Sequence, residues 1–106
     1  MITVKNIFEN TQEKLKEECI EGLISSGNFK LEKIVSQGHS SPDNFWYDQD
    51  TNEFVLLVSG SAQLEFENEL SVQLKPGDYL IIPSHKKHRV SKTDQNQKTF
   101  WLALHY

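Results

Sequence analysis

Gly77-Asp78-Tyr79-Leu80-Ile81-Ile82-Pro83-Ser84-His85-Lys86-Lys87-His88-Arg89-Val90 reads as a strand bounded by punctuation, with two imidazoles delivered just past its end. Pro76 and Gly77 make a turn, and Leu80, Ile81 and Ile82 have the apolar, β-branched character of a buried strand. Pro83 stops the ladder because it has no N–H to donate. His85 and His88 follow in the loop beyond. Histidines held at a strand end can bind a metal, move a proton or line a ligand pocket.

Outward from this stretch the apolar period stays near two. Residues 53–59 form an apolar strand stopped by Gly60, then Ala62, Leu64 and Phe66 alternate with Gln63, Glu65 and Glu67. After an Asn68-Glu69 turn, Leu70, Val72 and Leu74 alternate with Ser71 and Gln73, which is a hairpin pattern. Phe45 to Asp48 reads as a short aromatic strand followed by a turn over 49–52. Phe29, Leu31 and Val35 alternate with Lys30, Glu32 and Ser36, while Ile34 breaks the pattern and is expected to face a second layer. Residues 88–92 and 98–105 complete the strands, around a polar turn at 93–97. Only the N-terminal part has a different period. Leu15, Cys19, Ile20, Leu23 and Ile24 recur at helical spacing, with Asn10 or Thr11 as a cap, and predict one amphipathic helix over about 11–25. Cys19 lies on its apolar stripe and is expected to be a buried structural thiol.

Roughly seven or eight short strands with no helical crossovers predict an all-β sandwich or barrel over residues 29–106, with the helix covering an outer face or an edge. At 106 residues the chain is one domain by size. Its net charge of −4, with lysines dispersed among acids, argues against a nucleic-acid partner. No apolar run is long enough to span a membrane and the polar N-terminus is no signal peptide, so a cytoplasmic location is expected. One cysteine rules out an internal disulfide framework and a thiolate zinc cluster. The basic cluster Lys86, Lys87 and Arg89 reads as a solvated loop face, with the capacity to steer an anionic ligand.

Positions two apart on a strand share a face, so Trp46 and Asp48 are expected to point the same way, with Glu53 across the 49–52 turn. If His88 packs beside them, an imidazole and two carboxylates converge. That set suits a divalent cation or an acid/base pair.

These two stretches resemble the two sequence motifs of the cupin superfamily. Glu53 and, after six intervening residues, Gly60 match the end of the first motif, while Gly77, Pro83 and His88 match the second. The run 45–50, the segment 83–90 and the terminal Trp101-Leu102-Ala103-Leu104-His105 are similar to a group of small stand-alone bacterial cupins. The resemblance implies a jelly-roll barrel with short antiparallel strands, a site at its mouth, and a homodimer paired through sheet edges. Cupin metals are typically held by two histidines and a glutamate of the first motif with the histidine of the second. Here Trp46 and Asp48 occupy the two histidine positions, so the implied ligand set is Asp48, Glu53 and His88, with Gln49 or His85 as a fourth partner. His85 stands where the motif has its second glycine, which predicts a strained backbone. His39 and His105 are the weakest histidine candidates.

Three readings follow: a divalent ion (zinc, manganese, nickel or iron) on Asp48, Glu53 and His88, open to an oxygen-rich small ligand; a metal-free binding or sensing module in which Trp46 and Tyr47 enclose the ligand and Glu53 and His88 hydrogen-bond it, with His85 as a further ligand-binding candidate at the mouth; and a sugar or sugar-acid isomerase or epimerase with His88 as general base and Glu53 or Asp48 orienting it.

Overall fold

A computed structural model describes residues 1–9 and 14–106 of the chain. The described residues contain eight strands and no helix: β1 Cys19–Ser25, β2 Lys30–Ser36, β3 Glu53–Ser59, β4 Ala62–Phe66, β5 Val72–Leu74, β6 Tyr79–Ile82, β7 His88–Thr93 and β8 Thr99–His105. They form a five-stranded sheet, ordered β1-β2-β8-β3-β6, and a three-stranded sheet, ordered β5-β4-β7. Every pairing is antiparallel, as a jelly roll requires.

Register decides which side chains share the interior, because facing residues of an antiparallel pair lie on the same side of the sheet. Ile34 and Leu57 both face Trp101, Val55 faces Ala103, and Glu53 faces His105 on one side and Ile82 on the other. Trp101, Ala103 and His105 therefore run inward together with Glu53, Val55 and Leu57. Ala62, Leu64 and Leu74 from the second sheet close the core over Leu57 and Trp101. The Trp101 indole N–H is satisfied there by Ser36 Oγ at 3.2 Å.

The helix expected over 11–25 does not form over its described residues, 14–25. Its proposed cap lies outside the described residues, residues 14–18 are irregular, and the rest is strand β1. Gly22 costs about 1 kcal/mol in a helix interior relative to alanine. As a strand, the segment pairs with β2 along its whole length, and a bulge between Gly22 and Ile24 absorbs the irregularity. Tertiary pairing overrides a spacing that fits a helix. Cys19 is correspondingly exposed rather than buried.

Parity on β2 also differs from expectation: Ile34 points into the barrel and Val35 out. Val35 is nonetheless fully buried, and the described residues Phe8, Glu9 and Leu15 lie against β2 and its neighbours. Phe8 packs edge-on against Phe100, the partner of Val35, with centroids 5.3 Å apart. Lys33 Nζ donates to the Glu9 carbonyl at 2.8 Å, and Leu15 N–H donates to Gln37 Oε1 at 2.8 Å. Both faces of β2 are covered, which erases the simple alternation. The aromatic strand expected at 45–48 is reduced to a single bridge between Tyr47 and His88.

Candidate functional site

His88 begins β7, Glu53 begins β3, Ile82 ends β6 and His105 ends β8, so the register gathers all four at one end of the barrel. They line a cavity of about 110 Å³ between the two sheets. This is smaller than the roughly 150 Å³ that encloses benzene, so there is room only for a very small group or the end of a larger molecule. Its walls are apolar, from Ile34, Val55, Leu64, Ile82, Val90 and Trp101, and its polar groups come from Tyr47, Gln49, Glu53, His88, Glu18, Glu32 and His105.

His88 is 6% exposed and fixed from several directions. Its backbone exchanges both hydrogen bonds with Tyr47, at 2.7 and 3.1 Å. The Tyr47 ring stacks on the imidazole with centroids 5.6 Å apart, and Phe66 lies 6.2 Å from it. The Lys86 carbonyl lies 2.9 Å from Nδ1. A carbonyl only accepts, so Nδ1 carries a proton and the other ring nitrogen is the one free to exchange. That nitrogen, Nε2, is 3.4 Å from Glu53 Oε1. The distance makes this an electrostatic contact and leaves Oε1 buried without a hydrogen-bond donor. Burial works to lower the His88 pKa. The close Glu53 side chain, the Lys86 carbonyl and the Glu53 charge outweigh it, and the pKa sits above the ordinary value. Tyr47 stays a protonated phenol, because burial, then the charges of Glu18 and Glu53, push its pKa up against the opposing effect of Ser41.

A second imidazole and carboxylate share the cavity. His105 Nε2 lies 2.9 Å from Glu32 Oε1, which also takes an ion pair from Lys30 at 3.2 Å on its other oxygen. Local pattern alone singles out neither His105 nor Glu32 as a site residue. Their signal was present in the alternation Trp101, Ala103, His105 and Glu32, Ile34, Ser36, which register joins on one face.

Asp48 does not converge with Glu53. It is turned to the rim, 2.8 Å from His85 Nδ1, with Asp50 3.7 Å from His85 Nε2. His85 is mostly exposed and has φ of +64°, the left-handed conformation that its place at a glycine position predicts. Trp46 is half-buried and lies outside the cavity lining, whereas Tyr47 and Gln49 line it. Parity in this segment is therefore the reverse of that expected, because the single bridge at Tyr47, rather than a continuous strand, sets which side chains turn inward. His39 is structural: its Nδ1 accepts the Gln37 N–H at 2.8 Å.

No group of three or more His, Cys, Asp or Glu side chains placed to hold a metal occurs among the described residues. Of the implied set only Glu53 and His88 meet. These two donors alone do not complete a coordination shell.

The Cupin domain family model matches residues 32–105. The chain belongs to that family. Among solved cupins, it aligns with a candidate mannose-6-phosphate isomerase from Ralstonia eutropha JMP134 at 38% identity and a TM-score of 0.93, over 98% of this chain and 97% of that one. A cupin superfamily protein from Desulfitobacterium hafniense DCB-2 shares 18% identity at a TM-score of 0.73, over 89% and 81% of the two chains. An RmlC-like cupin with a double-stranded β-helix fold from Methanocaldococcus jannaschii shares 15% at a TM-score of 0.70, over 97% and 91%. The last two bear on the cupin fold alone. No curated protein matches the chain. No described helix is long and apolar enough to cross a membrane.

Proposed function

We propose that this cupin binds a small oxygen-rich molecule in the barrel and moves a proton on it through His88, with Glu53 setting the basicity of the imidazole. The observation that carries this reading is the fixed tautomer: Nδ1–H is held by the Lys86 carbonyl, so Nε2 is the working nitrogen, and it faces Glu53 in the cavity. A base whose pKa lies near the working pH is efficient in both directions, taking a proton from one atom and returning it to another. Isomerisation of a hydroxycarbonyl compound needs that chemistry, and the name given to the 38%-identical Ralstonia protein supports the same class. An ion held jointly by Asp48, Glu53 and His88 is not part of the proposal, since Asp48 is paired with His85 at the rim.

The test is solvent-deuterium exchange into small hydroxycarbonyl compounds, followed by NMR in D₂O. The native chain is expected to catalyse exchange and His88→Gln to lose about a hundredfold or more. Equal rates in both proteins would sink the reading, and so would no exchange by the native chain. In the latter case, cavity binding without turnover would leave a metal-free binding module.

We also propose that two copies pair through β1. It is an edge strand with all seven residues exposed, including Ile20 and Ile24, and an unpaired edge is a template for a second strand. Light scattering is expected to give twice the chain mass for the native protein and the single mass for Ile24→Lys. A monomeric native protein at micromolar concentration would refute the pairing.

A further inference from the structure

We infer that this cavity selects a ligand portion that brings hydrogen-bond donors, as hydroxyl or amine, and carries no negative charge, so that a phosphate or carboxylate group is kept outside. The inference rests on the site proposed above and narrows what enters it.

The first observation is an unpartnered acceptor. Glu53 is 8% exposed and lines the cavity, and its Oε1 makes no hydrogen bond of good geometry, although His88 Nε2 lies 3.4 Å from it. A carboxylate oxygen only accepts, and a buried acceptor left without a donor is costly, so the missing partner is an O–H or N–H. Gln49 Oε1 is a second buried acceptor without a partner on the same wall. The second observation is the charge of the lining. It includes three acids, Glu18, Glu32 and Glu53, against two imidazoles, His88 facing Glu53 and His105 facing Glu32, and no lysine or arginine. Two of these acids already bias Tyr47 against becoming an anion, and the same field acts on any anion placed beside it.

The third observation concerns the basic run on the rim. Each of its cations already has an acid: Lys86 lies 2.8 Å from Glu69, Lys87 3.7 Å from Glu67, and Arg89 3.4 Å from Glu65. The Arg89 guanidinium is further held by the Ser41 carbonyl at 2.9 Å. The cluster that the sequence offered for steering an anion is thus neutralised locally. Phosphate recognition normally uses free Arg or Lys, or a helix N-terminus, and this cavity wall offers neither.

Four three-carbon probes of one skeleton test the inference by NMR titration of the isotope-labelled full chain at neutral pH: glycerol, the amine serinol, glycerate and glycerol 3-phosphate. Glycerol or serinol is expected to shift cavity-lining amides and to bind at least about tenfold more tightly than either anion, a difference of about 1.4 kcal/mol. Tighter binding of serinol assigns the donor to an amine, and tighter binding of glycerol assigns it to a hydroxyl. In Glu53→Gln the gap between neutral and anionic probes is expected to narrow. An anion that binds in the cavity as tightly as glycerol overturns the inference. So does the absence of cavity shifts with both glycerol and serinol at the highest soluble concentration. Proton exchange is read on hydroxycarbonyl compounds and charge selection on these four probes, so failure of the acid/base reading and failure of this one give different results.

Discussion

In Glu53→Gln, His88 titrates below the ordinary histidine value of 6.5, whereas in the native protein it titrates above it. The expected inversion comes from the order of the opposing effects. Burial is the largest single influence on this imidazole, and it favours the neutral form. The Glu53 side chain and its charge, with the Lys86 carbonyl, together reverse it. Removing the carboxylate leaves the carbonyl alone against burial, and burial prevails. The glutamine amide can also donate to Nε2, which further favours the unprotonated ring.

The consequence for stability has a definite sign. A histidine whose folded pKa is raised contributes stability that is fully present below its unfolded pKa, near 6.5, and is lost as pH rises through the folded value. Between mildly acidic and mildly basic pH this residue therefore makes the native protein less stable as pH increases. In Glu53→Gln the folded value is depressed and the contribution of His88 reverses: stability increases as pH rises from that lower value to the unfolded one near 6.5, and His88 adds no pH dependence above it. Two-dimensional NMR of the imidazole resonances gives the pKa directly, and urea melts at several pH values give the linkage. A His88 pKa that is the same in both proteins would show that Glu53 does not control it.

Gly60→Ala is expected to destabilise the fold by about 4 kcal/mol, combining about 1–2 kcal/mol for a left-handed alanine with about 1–3 kcal/mol for overpacking. Gly60 has φ of +91°, and a Cβ there would stand 2.6 Å from Thr99 Cα and closer still to Thr99 Oγ1. Thr99 is fully buried, and β8 is pinned between β2 and β3, so the neighbour cannot move away. Gly77 supplies the control. It has φ of +93° but nothing within 4 Å of a built Cβ, so Gly77→Ala carries only the conformational cost of about 1–2 kcal/mol. Urea denaturation that gives equal losses for the two alanines would show that close approach to Thr99 is not what requires glycine at 60.

Several strands were legible because their patterns match a local rule. Residues 53–59 and the 62–74 hairpin appear where alternation and turn residues place them, and the strand before Pro83 also forms, but as a sheet edge with Tyr79 and Ile81 exposed rather than as the buried strand its apolar run predicts. Gly60 and Gly77 both occupy left-handed turns, and His85 carries the positive φ that its glycine position implies. The segment 19–25 was misread because a spacing near three to four fits one helical face, and Leu23 and Ile24 also fit a bulged edge strand whose partner is elsewhere in the chain. At 46–49 the error was one of parity. A one-residue change in which side chains turn inward exchanges Trp46 and Asp48 for Tyr47 and Gln49.

The sequence by itself determined the family, through its resemblance to the cupin motifs, and an all-β chain of short strands, through turn chemistry and period-two patterning. Tertiary structure alone decided the composition of the site. Asp48 went to His85 at the rim, His105 and Glu32 joined the cavity, and the rim cations were neutralised by Glu65, Glu67 and Glu69. The physical reason is that a strand specifies its own alternation but not its register. Which carboxylate meets which imidazole depends on hydrogen-bonded partners far away in the chain, and no local pattern encodes them.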